Sequence, residues 1–150
     1  MTRGAVLALA TLAVIAGALW YLQAPPRSAG AYRDRAANVV DSVHSQVQVA
    51  RLWLGAVESG EVTHPAAIIA LQEADDDAAR ALGDFEQLDP PAGTDEVRHR
   101  VSTLTGEAGG ALAQLRIAAN RGEWQRLPRL GRPLPRLARR LDALERETSP

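Results

Sequence analysis

Apolar residues recur with an alternating spacing of four and three residues in four stretches of the chain after residue 30. A spacing of about 3.5 residues keeps one apolar seam on a single face of an α-helix, whereas a β-strand needs a period of two. Helices bury such seams by packing side by side with a left-handed twist. The pattern therefore predicts an all-α protein with four packed helices. The seam positions are Ala36, Val40, Val43, Val47, Ala50, Leu54 and Val57; Ala67, Leu71, Ala74, Ala78, Ala81, Phe85 and Leu88; Val97, Val101, Leu104, Ala108, Ala111, Leu115 and Ala118; and Leu130, Leu134, Leu137, Leu141 and Leu144.

Breaks rich in glycine or proline separate the four seams, at residues 59–60, 89–93 and 120–122. Thr63 and Thr94 follow the first two breaks and suit the N-cap position, where a hydroxyl oxygen accepts a hydrogen bond from the first helical turn. Pro128 and Pro133 make the third connection irregular, so we expect the fourth helix to begin near Pro133. Short connections make successive helices antiparallel, which predicts an up-down-up-down four-helix bundle.

An uncharged apolar run covers residues 4–22, before the first seam. As a helix, its 19 residues span about 28 Å, close to the ~30 Å hydrocarbon core of a bilayer. Trp20 and Tyr21 stand at its end, where amphipathic rings favour the headgroup region. The run predicts a helix in contact with membrane lipid. The predicted divisions are a transmembrane signal anchor at 1–24, a proline-rich juxtamembrane linker at 25–30, the bundle at 31–147 and a C-terminal tail at 148–150.

Cleavage and orientation of the N-terminal segment are open alternatives. A small-x-small pattern at residues 29–31 fits a signal-peptidase site, but it lies far beyond the apolar run, which exceeds the ~7–15 residues of a signal core. The arginines that flank the run slightly favour a cytoplasmic C-terminal side. The very short basic N-terminus is nevertheless typical of a secretory signal. We favour a single-pass protein of the cell membrane with an extracytoplasmic body; secretion after cleavage and a cytoplasmic body are the alternatives.

The composition narrows the classes of function. All 17 basic residues are arginines, and with 18 acidic residues they give a net charge of −1. A dedicated nucleic-acid binder is normally basic, so we expect no nucleic-acid partner. Because the chain has no cysteine, it has no disulfide, zinc thiolate, thiol nucleophile or lipoprotein lipid anchor.

Charge is segregated along the sequence. Residues 58–96 hold eleven acidic residues and one arginine, whereas residues 121–150 hold eight arginines and four acidic residues. The second helix is therefore acidic and the fourth basic, and the two lie either diagonally or side by side. Helical spacing also predicts ion pairs of Arg80 with Asp76 and Asp84. Solvated faces and intramolecular pairing account for much of this charge.

The basic helix offers a candidate surface for a protein partner or for anionic lipid. Its arginines at 132, 136, 139 and 140 share one helical face by spacing. Trp53 and its neighbours Val49 and Leu52 lie off the first seam and offer apolar area to a partner, although a broad core face also explains them. The candidate residues are Arg132, Arg136, Arg139, Arg140 and Trp53.

The sequence carries no recognisable catalytic or metal-binding constellation. Asp41-x-x-His44 and Glu96-x-x-His99 have the spacing of half a di-iron motif, but every seam position of these helices is apolar, so the motif residues are not inward-facing. Neither a nucleophile motif nor a nucleotide-binding loop occurs. The Gly109-Gly110 pair lies within the third helix and indicates a close helix approach or a kink. We expect no enzyme activity, no cofactor and no metal.

Together the patterns predict a membrane-tethered, non-enzymatic helical module that scaffolds or regulates a partner protein at the membrane. Self-association is left open. The alternative is an extracytoplasmic ligand-sensing helical bundle, which a cavity with converging polar groups between the helices would favour.

Overall fold

The computed structural model describes residues 28–148, and this part of the chain is all-helical, as predicted. A 3₁₀ turn at Trp124–Arg126 precedes the short fourth helix. Within the described range, no helix combines the length and the apolarity needed to cross a membrane. The predicted anchor at 1–24 lies outside the described residues. The helices are α1 (Ala29–Glu58), α2 (His64–Glu86), α3 (Asp95–Asn120), α4 (Leu127–Gly131) and α5 (Leu134–Thr148).

The bundle extends slightly beyond its predicted limits of 31 and 147. Ser28 is the N-cap of α1, and its hydroxyl oxygen accepts a hydrogen bond from the Ala31 amide at 3.2 Å. The last residues of the predicted linker are therefore helical. At the other end, the Thr148 hydroxyl donates to the Leu144 carbonyl oxygen, which extends α5 into the predicted tail.

The two long helices α1 and α3 end in the same way. Gly60 and Gly122 adopt left-handed φ values of 73° and 69°, which glycine reaches without steric cost. The amides of Glu61 and Glu123 then return to the carbonyl oxygens five residues earlier, both at 2.9 Å. This is the Schellman arrangement, and it turns the chain back after each helix.

The predicted threonine caps behave differently from expectation. Thr94 is the residue before α3, but its buried hydroxyl donates to the Pro91 carbonyl oxygen at 2.7 Å and closes the preceding turn. Thr63 stands at the start of α2 without a side-chain capping bond. Asp95 and Glu96 occupy the first turn of α3, where negative charge meets the positive end of the helix dipole.

The four long helices form a closed ring in the order α1, α2, α3, α5, and α1 also packs against α3 across the bundle. Between each two adjacent helices, residue numbers rise along one helix as the numbers of their contact partners fall along the other. Neighbouring helices are therefore antiparallel. The acidic α2 and the basic α5 occupy opposite corners. The pairs are Tyr32–Phe85 and Gln46–Asp77, Arg98–Glu86 and Arg116–Asp75, Arg100–Glu147 and Arg140–Glu107, and His44–Glu145, with Arg51 and Arg139 lining the same groove.

The predicted seams form the core. Every seam position is buried or partly buried, and Val40, Val43 and Val47 of α1 are completely inaccessible to solvent. Several side chains that the spacing does not select are also fully buried, the largest being Tyr32, Leu112 and Leu127. The core is thus wider than a strict seam, which is typical of helices in a globular bundle.

The predicted close approach at Gly109-Gly110 is wrong. A Cβ atom added at either glycine, or at Gly106, would meet no atom within 4 Å. The close approach occurs instead at Gly131, the last residue of α4, where an added Cβ would lie 2.6 Å from Cδ1 of Leu54. Here the backbone of the short helix rests directly on α1.

One polar atom in the core has no partner. Tyr32 is completely buried, its ring lies 5.4 Å from the ring of Phe85, and its hydroxyl makes no hydrogen bond with the described residues. Burial raises the pKa of Tyr32, and the nearby Arg98 guanidinium opposes that rise. The guanidinium itself donates to the Glu86 and Leu88 carbonyl oxygens at the end of α2.

Replacing Gly131 tests the close approach. Because the clashing atom is the end of a flexible side chain that can partly yield, we expect Gly131→Val to lower the free energy of unfolding by about 1 kcal/mol, the lower end of the usual cost of overpacking. Gly110→Val is the matched control, since it adds the same atoms to an open helix face. Urea unfolding followed by circular dichroism measures both. Equal stability of the two variants would contradict the contact with Leu54.

Replacing Tyr32 by phenylalanine tests the unpaired hydroxyl. An unsatisfied buried polar group costs about 1–3 kcal/mol, so Tyr32→Phe should be at least as stable as the wild type near neutral pH. As the pH rises past about 10, the unfolded chain ionises before the folded one, and the wild type alone loses stability through this group. Urea unfolding across that range measures the difference. A less stable phenylalanine variant at neutral pH would show that the hydroxyl is bonded in solution.

Candidate functional site

The basic face of α5 follows directly from its amphipathic sequence. Leucines at spacings of three and four residues turn one side of the helix inward, and Leu134 and Leu141 are completely buried. Arg136, Arg139 and Arg140 lie between these two leucines and are exposed. Pro135 falls in the first turn, where its missing amide removes no helical hydrogen bond. The helix thus holds its arginines on a rigid, well-packed support.

The four predicted arginines differ in whether they form an ion pair. All four are exposed, but Arg140 forms an ion pair with Glu107 of α3. Arg139 lines the groove between α5 and α1. Arg132 and Arg136 point away from the bundle, and like Arg139 they form no ion pair within residues 28–148. Three of the four predicted arginines therefore retain uncompensated charge at the surface.

Trp53 lies apart from these arginines. His44 and Arg51 of α1 line the groove with α5, so that side of α1 faces the basic helix. Trp53 follows Arg51 by two residues, which turns its side chain about 200° around the helix. It is half-buried on the side of α1 away from α5. The five predicted residues therefore do not form one continuous surface.

The groove between α1 and α5 has a volume of about 270 Å³ and is lined mainly by polar side chains. His44 is central to it: its Nε2 atom lies 3.1 Å from Nε2 of Gln48, and its Nδ1 atom lies 3.7 Å from a carboxylate oxygen of Glu145. Arg51 donates to the Gln48 side-chain oxygen at 2.7 Å. Arg51 was not selected from the sequence, although its spacing of seven residues from His44 puts both on one face.

A second groove, of about 330 Å³, lies between α3 and α5. His99 and Thr103 line it from α3, together with two ion pairs that cross it or flank it, Arg100–Glu147 and Arg140–Glu107. His99 is exposed, as its position relative to the third seam predicts. The groove therefore brings donor and acceptor groups of both charges to one place.

The acidic residues of α2 are only partly neutralised. Asp75 is buried and accepts a hydrogen bond from Arg116 of α3 at 2.5 Å. The predicted pairs of Arg80 are wrong, because Arg80 binds Asp77, one turn before it, at 2.6 Å. Since α5 is at the opposite corner, α3 supplies the charges that balance both neighbours. Glu73 and Asp76 remain exposed and form no ion pair with a described residue.

The histidines are dispersed rather than gathered into a ligand set. His64 begins α2 and stacks on Trp124, with ring centroids 3.9 Å apart and an interplanar angle of 7°. The other two line different grooves. In the part of the chain that the structure covers, no three histidine or carboxylate side chains come together as a metal site.

Comparison with known proteins gives no relative from which a role could be transferred. No protein-family model matches the chain, and no curated protein and no solved structure matches it.

Proposed function

We propose that the protein is a membrane-tethered, non-enzymatic helical module that holds or regulates a partner protein through exposed arginines in α5 and in the turn before it. The observation that carries this proposal is the pair Arg132 and Arg136, which point outward without an ion pair in the described bundle. A rigid helix that displays uncompensated guanidinium groups suits recognition of carboxylates, because arginine binds them in a bidentate fashion.

The tether is the apolar run at residues 4–22, taken as a transmembrane helix. It ends six residues before Ser28, the cap of α1, so the anchor leads almost directly into the bundle. Cleavage after Ala31 would remove Ser28 and the first turn of α1, which favours an uncleaved anchor. An extracytoplasmic body and left-handed packing of the helices belong to the same proposal, on the charge pattern and the heptad spacing given above.

The position of the arginines favours a protein partner over the lipid of the anchoring membrane. Arg132 follows Gly131, which rests on Leu54. Leu54 is 25 residues beyond Ala29, or about 38 Å along α1. Electrostatic attraction between exposed charges is largely screened beyond about 8–10 Å. In an upright bundle the arginines therefore stand well clear of the headgroups, at a height where a neighbouring protein reaches them.

Charge reversal tests the partner surface. With a photo-crosslinking amino acid at position 129, we expect a specific crosslinked product in intact cells, reduced about tenfold by Arg132→Glu with Arg136→Glu. The matched control reverses Arg33 and Arg121, two other exposed arginines without ion pairs. Absence of any crosslinked protein, or equal loss in both variants, would contradict the proposal.

The groove between α3 and α5 supports a second candidate, ligand sensing. Its lining by His99, Arg100, Thr103 and Arg140 suits a small anion such as a carboxylate or phosphate. Both arginines are already paired with glutamates, however, so an anion would have to displace those carboxylates. For this reason we place ligand sensing second.

Thermal unfolding distinguishes the two functions. A ligand that binds only the folded state raises the melting temperature in proportion to the logarithm of its concentration. The leading proposal expects inorganic phosphate at about 10 mM to leave the melting temperature unchanged in both the wild type and Arg100→Gln. A saturable increase that Arg100→Gln removes would favour the sensing function instead.

A further inference from the structure

The outer face of α1 carries two exposed carboxylates, Asp34 and Asp41, and is otherwise uncharged. A second row of residues with alternating spacing of three and four runs along this face, opposite the core seam. In a chain with 23% charged residues, such a row spans about 27 Å without one ionisable group. Every member is exposed or partly exposed. The row consists of Asn38, Ser42, Ser45, Val49, Leu52 and Ala56.

The row becomes apolar toward the end of α1. Leu52 is 74% exposed and has the partly buried Val49 and Trp53 beside it. With Ala56 these residues have the spacing by which a helix packs against another helix. The core of the protein does not use them, because Ala50 and Leu54, two residues to either side of Leu52, face inward. A row that is uncharged and then apolar is therefore left without a partner helix in the bundle.

At the level of Leu52, charges of opposite sign flank this row on its two sides. Arg51 and Arg139 lie on the side of α5, and both line the groove there. Glu73 and Asp76 lie on α2, which packs against the other side of α1. Within residues 28–148 none of the four forms an ion pair. The two flanks therefore carry charges of opposite sign that no ion pair neutralises.

The opposite charges stand at the same height along α1. Asp77 lies beside Gln46, and Glu145 lies beside His44. Both α2 and α5 run antiparallel to α1, so moving back along them corresponds to moving forward along α1. Four residues before Asp77 and six residues before Glu145 therefore both lie at the level of residue 50 of α1. Glu73 and Arg139 are those two residues. Arg51 and the exposed Leu52 are at that level too.

We propose that a second copy of the chain packs against this face in a parallel, two-fold dimer. A two-fold axis along α1 brings the row of one copy against the same row of the other, as an isologous interface requires. Because α2 and α5 flank α1 on opposite sides, the rotation also places Glu73 and Asp76 of each copy opposite Arg51 and Arg139 of the other. The dimer therefore has two equivalent contacts between an acidic and a basic flank, both at the level of Leu52.

A second copy fits this face better than a different protein, because the face complements itself under one rotation. The inference stands on the described bundle and does not require the proposed tether, although tethering would align two copies in parallel at equal height. It also leaves the partner surface free, since Arg132 and Arg136 point outward and are not part of either flank. Failure of one proposal therefore does not entail failure of the other.

Disulfide crosslinking locates the interface, because the natural chain has no cysteine. Full-length Leu52→Cys in isolated membranes should form a disulfide dimer under mild oxidation, at least tenfold faster than Ile117→Cys. Ile117 is the matched control, an exposed apolar residue on α3 at the opposite corner of the ring. Equal rates would indicate random collision and overturn the proposal. A monomeric Leu52→Cys chain, as expected if residues 1–27 of the same chain cover the face, would overturn it as well.

Mixing charge-reversed chains tests the symmetry in mild detergent. Glu73→Arg/Asp76→Arg makes both flanks basic, and Arg51→Glu/Arg139→Glu makes both acidic, so each variant alone should dimerise about tenfold more weakly than the wild type. An equimolar mixture should recover dimers that contain one chain of each kind, because both pairs of flanks are then complementary. Circular dichroism confirms that each variant is folded. Folded variants that dimerise like the wild type, or a mixture that recovers nothing, would overturn the proposal.

Discussion

The packing of α1 against all three other long helices holds the bundle together. Its seam is made of valines and alanines with little or no solvent exposure, and it meets α2 and α5 at its sides and α3 across the centre. Small side chains make this possible, because they let α1 approach α3 along the short diagonal of the ring. α3 likewise contacts the three other long helices, whereas α2 and α5 each pack against α1 and α3.

This arrangement explains how the charges are distributed. α1 and α3 lie between the acidic α2 and the basic α5, so α2 and α5 do not neutralise each other. Opposite charges for these two helices come from their neighbours in the ring. α3 supplies Arg116 toward Asp75 and Glu107 toward Arg140. α1 contributes only Asp34 and Asp41 on its outer face. The result is a bundle with an acidic corner opposite a basic one, which describes its recognition properties better than its net charge of −1.

The helices, their ends and most of the core were predictable from the sequence, because the 3.5-residue period and the glycine and proline breaks act locally. Tyr32 and Leu112 escaped prediction, since their burial depends on how wide a face the neighbours cover. The same holds for the ion pairs: spacing within a helix suggested Arg80 with Asp76, whereas rotamers and the surrounding helices select Asp77. The exposure of the candidate arginines followed from their spacing between buried leucines. The separation of Trp53 from α5 did not, because it depends on the order of the helices in the ring.

The contacts of α1 with every other helix have a mechanical consequence. The residues before Ser28 continue directly into the helix that every other helix grips, rather than into a peripheral element. A force parallel to the axis of α1 would act on its buried valines in shear. All the packing contacts of α1 would then resist the force at once, rather than breaking one after another. A force on the N-terminal segment is thus borne by the whole bundle, and the bundle would not detach from that segment without unfolding.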